Sequence, residues 1–300
     1  MPERVIPYTP KGTPKVETVV YNKANFKTVT WKVPEGVTYK GKIIYVHGFS
    51  EESGLYTEFF DKLSQQGYEI FFFDQRGAGE TGKGGDVGVT DEFHTFDDLD
   101  FFIEREAGKR TDPEEKFTLM GHSMGGGIIL NYPMKGKHKQ LIKSVVASGP
   151  LVKLHPDTEP NIIIMKLQSV INALVPRLKI DSKLNYDHIT SNEGWKEYVR
   201  NLGKLIGTIR QFHNMFARGA RLLEPSYVAT WDPLISLLVL HGDDDHINWD
   251  RSSQEFFKLL PKTVDAKYES IPGAKHAIFI ELEEIFNSVF SKVVTFLDSH

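Results

Sequence analysis

The chain has 300 residues, 40% hydrophobic and 25% charged, the composition of an ordinary globular protein with room for one large α/β domain or two smaller ones. Its formal net charge of −4 gives no electrostatic basis for nucleic-acid binding, and the absence of cysteine excludes disulfides and thiolate zinc sites. No apolar run approaches the ~18–20 residues of a membrane-spanning helix, and the opening MPERVIPYTPKG lacks the apolar stretch of a signal peptide.

KVETVVYN and FKTVTWKVP predict two β-branched strands joined by a short turn, an N-terminal hairpin. From there strands and helices alternate. KIIYVHG is a continuous apolar strand, the pattern of burial on both faces. Leu55, Phe59 and Leu63 recur at helical spacing, YEIFFFD is the next strand, and Phe96, Leu99, Phe102 and Ile103 form another helical stripe. FTLMGHS is a strand ending at a serine, GIIL starts the helix after it, and IKSVVASG is a further strand. Much later come LISLLVLHG, the short strand AKYESIPG, and a closing helix with Leu282, Phe286, Val289, Val293 and Phe296 on one face. This rhythm predicts an α/β protein with a mostly parallel, doubly wound sheet. Residues 151–231 break it: they carry helix-like pieces and no convincing strand. We expect a helical insertion there, over the carboxyl ends of the strands, with residues 1–150 and 232–300 forming the core.

Gly121-His122-Ser123-Met124-Gly125 is a G-x-S-x-G pentapeptide between a predicted strand and a predicted helix, the setting that lifts a serine hydroxyl above a sheet. Glycines on either side remove the Cβ atoms that would clash in so sharp a turn. A glycine-rich turn without chemistry is the competing reading; a phosphate loop is disfavoured because no G-K-[S/T] follows. A serine hydroxyl needs a general base. His122 adjoins the serine and should point away from it, which leaves it a supporting or packing role. His276, in PGAKHAIF after the last short strand, is the better candidate. A base needs an acid to hold its tautomer, and HGDDDHIN offers three aspartates in a loop after a strand, in the chain order serine, acid, histidine. Two other readings compete for this loop: a solvated acidic turn, and a metal site built from His241, Asp243, Asp244, Asp245 and His246. Neighbouring side chains in an extended loop diverge, so we expect no metal. VHGFSE follows the first central strand, where backbone donors for an oxyanion are placed, and we assign them to Phe49 N–H and Met124 N–H.

With these pieces in place the chain resembles the α/β-hydrolases, and among them the monoglyceride lipases, especially the fungal, yeast-type enzymes. The matching segments are VHGFSE, FDQRGAGET, GVTDEFHTFDDL, GHSMGGGIILNY, GKHK, SGPLVKLHP, HGDDDHIN and PGAKHAIF, spread over nearly all of the chain after the first 40 residues or so. The resemblance implies an α/β-hydrolase fold with a cap, hydrolysis of a monoacylglycerol to fatty acid and glycerol without a cofactor, and loose attachment to membranes or lipid droplets. It places the acid at the G-x-x-D position, Asp245, with Asp244 the nearest competitor. One departure is Pro133, ten residues after Ser123, where the helix is expected to kink or end because proline removes a hydrogen bond and clashes with the carbonyl of Ile129.

Within the insertion, NIIIMKLQSVINALVPRLKI is the most apolar stretch. Ile163, Leu167, Val170, Leu174 and Leu178 form one helical stripe, which packing on the core would explain; Ile164, Ile171 and Val175 widen it beyond one packed face. With Lys153, Lys166, Arg177 and Lys179 nearby, the expectation is a surface facing an anionic bilayer or the substrate. The absence of cysteine and of any N-x-S/T sequon fits a cytoplasmic protein with peripheral attachment. A short-chain carboxylesterase or lysophospholipase is the alternative enzyme, and a non-catalytic binding protein of the same fold is the alternative class.

Overall fold

The computed structural model describes residues 5–160 and 162–300, the side chains of 162–166 excepted. The strands are β1 (Lys15–Tyr21), β2 (Ala24–Trp31), β3 (Gly41–Val46), β4 (Tyr68–Phe73), β5 (Phe117–His122), β6 (Ile142–Ser148), β7 (Lys179–Asp181), β8 (Ile206–Thr208), β9 (Ser236–Gly242) and β10 (Ala266–Ile271). The helices are α1 (Thr57–Gln65), α2 (Glu92–Ala107), α3 (Met124–Lys135), α4 (Ile162–Leu174), α5 (Glu193–Asn201), α6 (Ile209–Arg221), α7 (Pro225–Val228), α8 (Asp250–Leu259) and α9 (Glu283–Ser299).

Eight strands form the main sheet in the order β1-β2-β4-β3-β5-β6-β9-β10. The hairpin β1–β2 and its junction with β4 are antiparallel, and every other pairing is parallel. The parallel part explains the apolar runs. All six residues of β3 are buried, with Ile43 and Tyr45 in one core and Ile44 and Val46 in the other. Phe59 and Phe60 of α1 and Phe286 and Val293 of α9 fill the first core; Phe102 of α2, Ile128 and Ile129 of α3 and Phe256 of α8 fill the second. Each such side chain contributes roughly 1.5–3 kcal/mol on burial, so helices cover both faces of the sheet.

The strand order reverses at β3. The chain passes from β3 to β4 on one side, then returns to lay β5 on the other, pairing Val46 with Gly121. The segments leaving the carboxyl ends of β3 and β5 therefore emerge side by side, at the switch point where open α/β sheets hold ligands.

Two expectations need correction. The chain between β6 and β9 contains a small antiparallel sheet, β7 with β8, joined at Lys179↔Thr208, Ile180↔Gly207 and Asp181↔Ile206. Three residues per strand are too few to show a period of two. And α3 does not end at Pro133 but runs to Lys135, closing with the bond from Gly136 N–H to Tyr132 O at 2.7 Å. Pro133 lies in the last turn and forgoes the bond to Ile129 O, and the helix continues for two residues beyond it.

Candidate active site

Ser123 stands between β5 and α3 with φ 54° and ψ −118°, a conformation that costs a non-glycine residue of order 1–3 kcal/mol. The surroundings enforce it. A Cβ on Gly125 would sit 2.0 Å from Val46 O, and one on Gly121 would sit 2.8 Å from the same oxygen. Only glycine at both places lets the elbow press against β3, and the serine is thereby raised to the floor of a cleft.

The structure brings Asp245 and His276 into direct contact. Asp245 Oδ2 accepts from His276 Nδ1 at 2.8 Å and from His241 Nε2 at 3.1 Å, while Oδ1 accepts from the backbone N–H groups of Ile247 and Asn248 at 2.8 and 2.9 Å. Burial by itself would raise this carboxyl's pKa. The facing charge of His276 and the bonds from both histidines outweigh it and hold the group well below the usual carboxylate range. Ser123 and His276 line the same recess, and Ser123 Oγ lies 3.5 Å from Asn248 Nδ2. No hydrogen bond joins Ser123 to His276 among the described residues; in substrate-free enzymes this contact is often long and closes on binding.

The other members of the acidic loop part ways. Asp243 is exposed and accepts from Gly273 N–H at 2.7 Å; Asp244 is exposed, 3.4 Å from His246 Nε2; His246 turns outward to Asp157 at 2.7 Å. His241 and Asp245 face inward, so the five donors of this stretch do not converge on one ion.

Phe49 and Met124 flank Ser123, and neither backbone N–H donates to another group among the described residues. The loop carrying Phe49 is braced by residues that the sequence pattern did not single out. Glu51 accepts from Gly48 N–H and from the Tyr56 hydroxyl, and burial pushes its carboxyl up to about 7. His47 Nε2 accepts from Gln75 N–H at 2.9 Å and Nδ1 donates to Gly48 O at 2.7 Å; burial pushes its pKa down to about 4 and keeps it neutral. His122 is buried, bonds Ser148 O through Nδ1 at 3.0 Å and packs its ring 4.6 Å from that of His276. Burial holds it well below the ordinary histidine range, so it is a neutral support. Glu51, His241 and Asn248 all lie inside VHGFSE and HGDDDHIN, but their side-chain directions carry no signal in one sequence.

From Ser123 an apolar cavity of about 270 Å³ opens between Leu151, Ile171, Ile180, Phe212 and Phe216. A larger polar recess of about 640 Å³ lies among Arg76, Asp91 and Arg210 and touches neither Ser123 nor His276. Of the apolar insertion residues, Ile171 is half-buried and lines the cavity, while Leu167, Leu174 and Val175 are exposed, as are Val170 and Leu178. Leu167, Val170, Leu174 and Leu178 of the stripe that packing would explain face out, while of the wider arc Val175 is exposed and Ile171 lines the cavity. Ile163 and Ile164 lie outside the described side chains.

Comparison with known proteins agrees with this architecture. The sequence model of the family described as "Serine aminopeptidase, S33" matches residues 38–283. The monoglyceride lipase of Saccharomyces cerevisiae is 37% identical over 98% of this chain and 96% of its own length, and a putative monoglyceride lipase of Schizosaccharomyces pombe is 34% identical over 86% and 68%. The crystal structure of a soluble variant of the S. cerevisiae enzyme in complex with a substrate analog superposes with a TM-score of 0.94, at 35% identity and over 99% of both chains. The chain belongs to the monoglyceride lipase family of the α/β-hydrolases.

Proposed function

We propose that this protein is a serine hydrolase that cleaves monoacylglycerols to fatty acid and glycerol through an acyl-enzyme on Ser123. Ser123 Oγ attacks the ester carbonyl while His276 Nε2 takes its proton, and Asp245 holds the Nδ1–H tautomer and stabilises the imidazolium. Phe49 N–H and Met124 N–H donate to the oxyanion. As the ester C–O bond breaks, His276 returns the proton to the departing glycerol oxygen. Water then attacks the acyl-enzyme by the same route in reverse and releases the acid. These steps need no metal or cofactor.

The observation that carries this reading is the pairing of His276 Nδ1 with a fully buried, ionised Asp245, in a recess that His276 shares with Ser123, while Ser123 also lines an apolar cavity. The cavity speaks for a long acyl chain over a short one, since each buried methylene contributes about 0.8 kcal/mol. Gln168 Oε1, Ser182 Oγ and His213 Nδ1 lie along it without partners among the described residues and offer hydrogen bonds to hydroxyl groups or water.

Residues 151–231 act as a cap over the core formed by 1–150 and 232–300. The exposed Leu167, Val170, Leu174, Val175 and Leu178, with Lys153, Arg177 and Lys179 nearby, suit peripheral contact with a membrane or lipid-droplet surface on the cytoplasmic side. No described helix is long and apolar enough to cross a bilayer.

Two measurements test the assignment. A fluorophosphonate probe should label wild-type protein at Ser123; absence of labelling would favour a binding protein. Hydrolysis rates over monoacyl-, diacyl- and lysophospho-glycerides and short-chain esters should be highest for a long-chain monoacylglycerol. A higher kcat/KM on short esters or lysophospholipids would overturn the substrate class while leaving the nucleophile standing.

A further inference from the structure

His246 directly follows Asp245, yet its side chain leaves the active site. Its Nδ1 is 2.7 Å from Asp157 Oδ2, and its ring lies 4.8 Å from that of His155. His155 Nδ1 is itself 3.5 Å from the same Asp157 oxygen. Two imidazoles thus converge on one carboxylate oxygen, and one nitrogen or oxygen donor from each of the three residues falls within 4.8 Å of the others. An ion pair between His246 and Asp157 accounts for one of the rings. The second ring is held beside the same oxygen by a weak bond from Asp157 N–H, and two imidazolium ions at this range would repel.

The donor set is informative. Two imidazoles and one carboxylate make a borderline-hard group that suits zinc-class ions, whereas magnesium and calcium favour oxygen alone. His155 Nδ1 accepts from Asp157 N–H at 3.2 Å, and its one in-plane lone pair reaches an ion only in exchange for that bond. Donors around a tetrahedral zinc with bonds of about 2.0–2.1 Å stand roughly 3.3–3.5 Å apart, within small side-chain adjustments of the spacing here. His155, Asp157 and His246 are partly or largely open to solvent, which leaves an entry path and a position for water.

The backbone already holds the two ligand-bearing segments together. Trp249 N–H donates to Lys153 O at 2.9 Å, His155 N–H to Ile247 O at 2.8 Å, and Thr158 Oγ1 to His246 O at 2.6 Å, around an antiparallel bridge of Leu154 with Asn248. The donors are therefore presented by a paired scaffold and not by two independent loops, and little ordering is left for the ion to impose.

We propose that His155, Asp157 and His246 form a binding site for a divalent transition-metal ion of the zinc class, which clamps the segment after β6 to the loop that carries Asp245. Water completes the coordination. The ion takes no part in ester hydrolysis; it adds a link across the seam between the insertion and the catalytic acid's loop. The sequence pattern concealed this site because two of its ligands lie about 90 residues from the third.

The test uses tag-free full-length protein stripped with chelator. Zn²⁺ is titrated against a chromogenic competitor, and thermal unfolding is followed with and without Zn²⁺, Mg²⁺ or Ca²⁺. Wild-type protein should bind one Zn²⁺ per chain and gain thermal stability from Zn²⁺ alone. His155→Ala and Asp157→Asn should each weaken binding by more than about tenfold and abolish the stability gain. Both should hydrolyse a small soluble ester at close to the wild-type rate without metal, which establishes that they are folded. Absence of saturable one-to-one binding, equal binding by wild type and both variants, or equal binding of Mg²⁺ would each overturn the site.

Discussion

Beneath the cleft every polar group of Asp245 is spoken for: Oδ1 takes two backbone N–H groups, Oδ2 takes two histidines, and the side chain is shut from solvent. Above it the insertion leaves Leu174 75% exposed and Val170 55% exposed. The core thus holds the catalytic acid by closing each of its hydrogen bonds in a dry setting, where an unpaired carboxylate is costly. The insertion does the opposite and leaves apolar surface open, the kind of patch that marks interaction sites. Rigid positioning below and exposed apolar surface above are separable properties, and substitutions should act on one without the other.

The largest effect falls in the core. Ser123→Ala should lower kcat by about 10⁶-fold with the fold intact, checked by kcat on a monoacylglycerol and by circular dichroism. More than a few per cent residual activity would show that the nucleophile lies elsewhere. Next comes the choice among three consecutive aspartates. Asp245→Asn should cost at least about 10²-fold in kcat because the amide favours the wrong imidazole tautomer. Asp243→Asn and Asp244→Asn, both on exposed side chains, should cost less than about tenfold. A collapse in Asp244→Asn with Asp245→Asn active would reassign the acid.

The third contrast concerns pH. Burial raises the Glu51 carboxyl from its ordinary 4.5 to about 7, and that of Asp74, in the turn after β4, from 3.8 to about 7. Between the ordinary values and about 7 the folded protein holds protons that the unfolded chain has released. Stability conferred by these groups is therefore fully present at low pH and is lost as the pH rises through about 7. Glu51→Gln keeps an oxygen that accepts from Gly48 and Tyr56 but carries no charge. It should raise stability at pH 8 by on the order of 1–3 kcal/mol and leave it nearly unchanged at pH 5, as read from denaturant midpoints. Equal effects at both pH values would mean that Glu51 is ionised throughout.

The smallest effect is in the insertion. Val170→Ser with Leu174→Ser should weaken sedimentation with anionic liposomes severalfold, while hydrolysis of a small soluble ester stays within about twofold. Unchanged sedimentation would show that these residues do not meet lipid.

What could be read in the chain followed from local rules. Apolar runs such as KIIYV announced strands buried on both faces, and Gly121-His122-Ser123-Met124-Gly125 announced a turn that other residues could not make. Strand-to-helix alternation then fixed which loops share the carboxyl edge of the sheet, and so Ser123, His276 and an acid among Asp243, Asp244 and Asp245 were within reach of inference, with the resemblance pointing to Asp245. α4 shows the limit of the same rules. Helical spacing reveals that one face is apolar, but whether that face meets a core, a cavity or a lipid depends on the angle at which the helix is set down, and the exposed Leu174 and cavity-lining Ile171 differ only in that. Pro133 likewise broke a local rule, since α3 runs on past it to Lys135.

By itself the sequence determined the order of elements, the strained serine turn and the set of residue types at the carboxyl edge, because each depends on periodicity or on a single backbone conformation. Tertiary structure alone decided that Asp245 turns inward while Asp243 and Asp244 turn out, that His241 and Asn248 support the acid, and that His246 leaves for His155 and Asp157. Those outcomes depend on side-chain directions across strands and segments far apart in the chain, and the energies that select them arise only when burial brings the partners together.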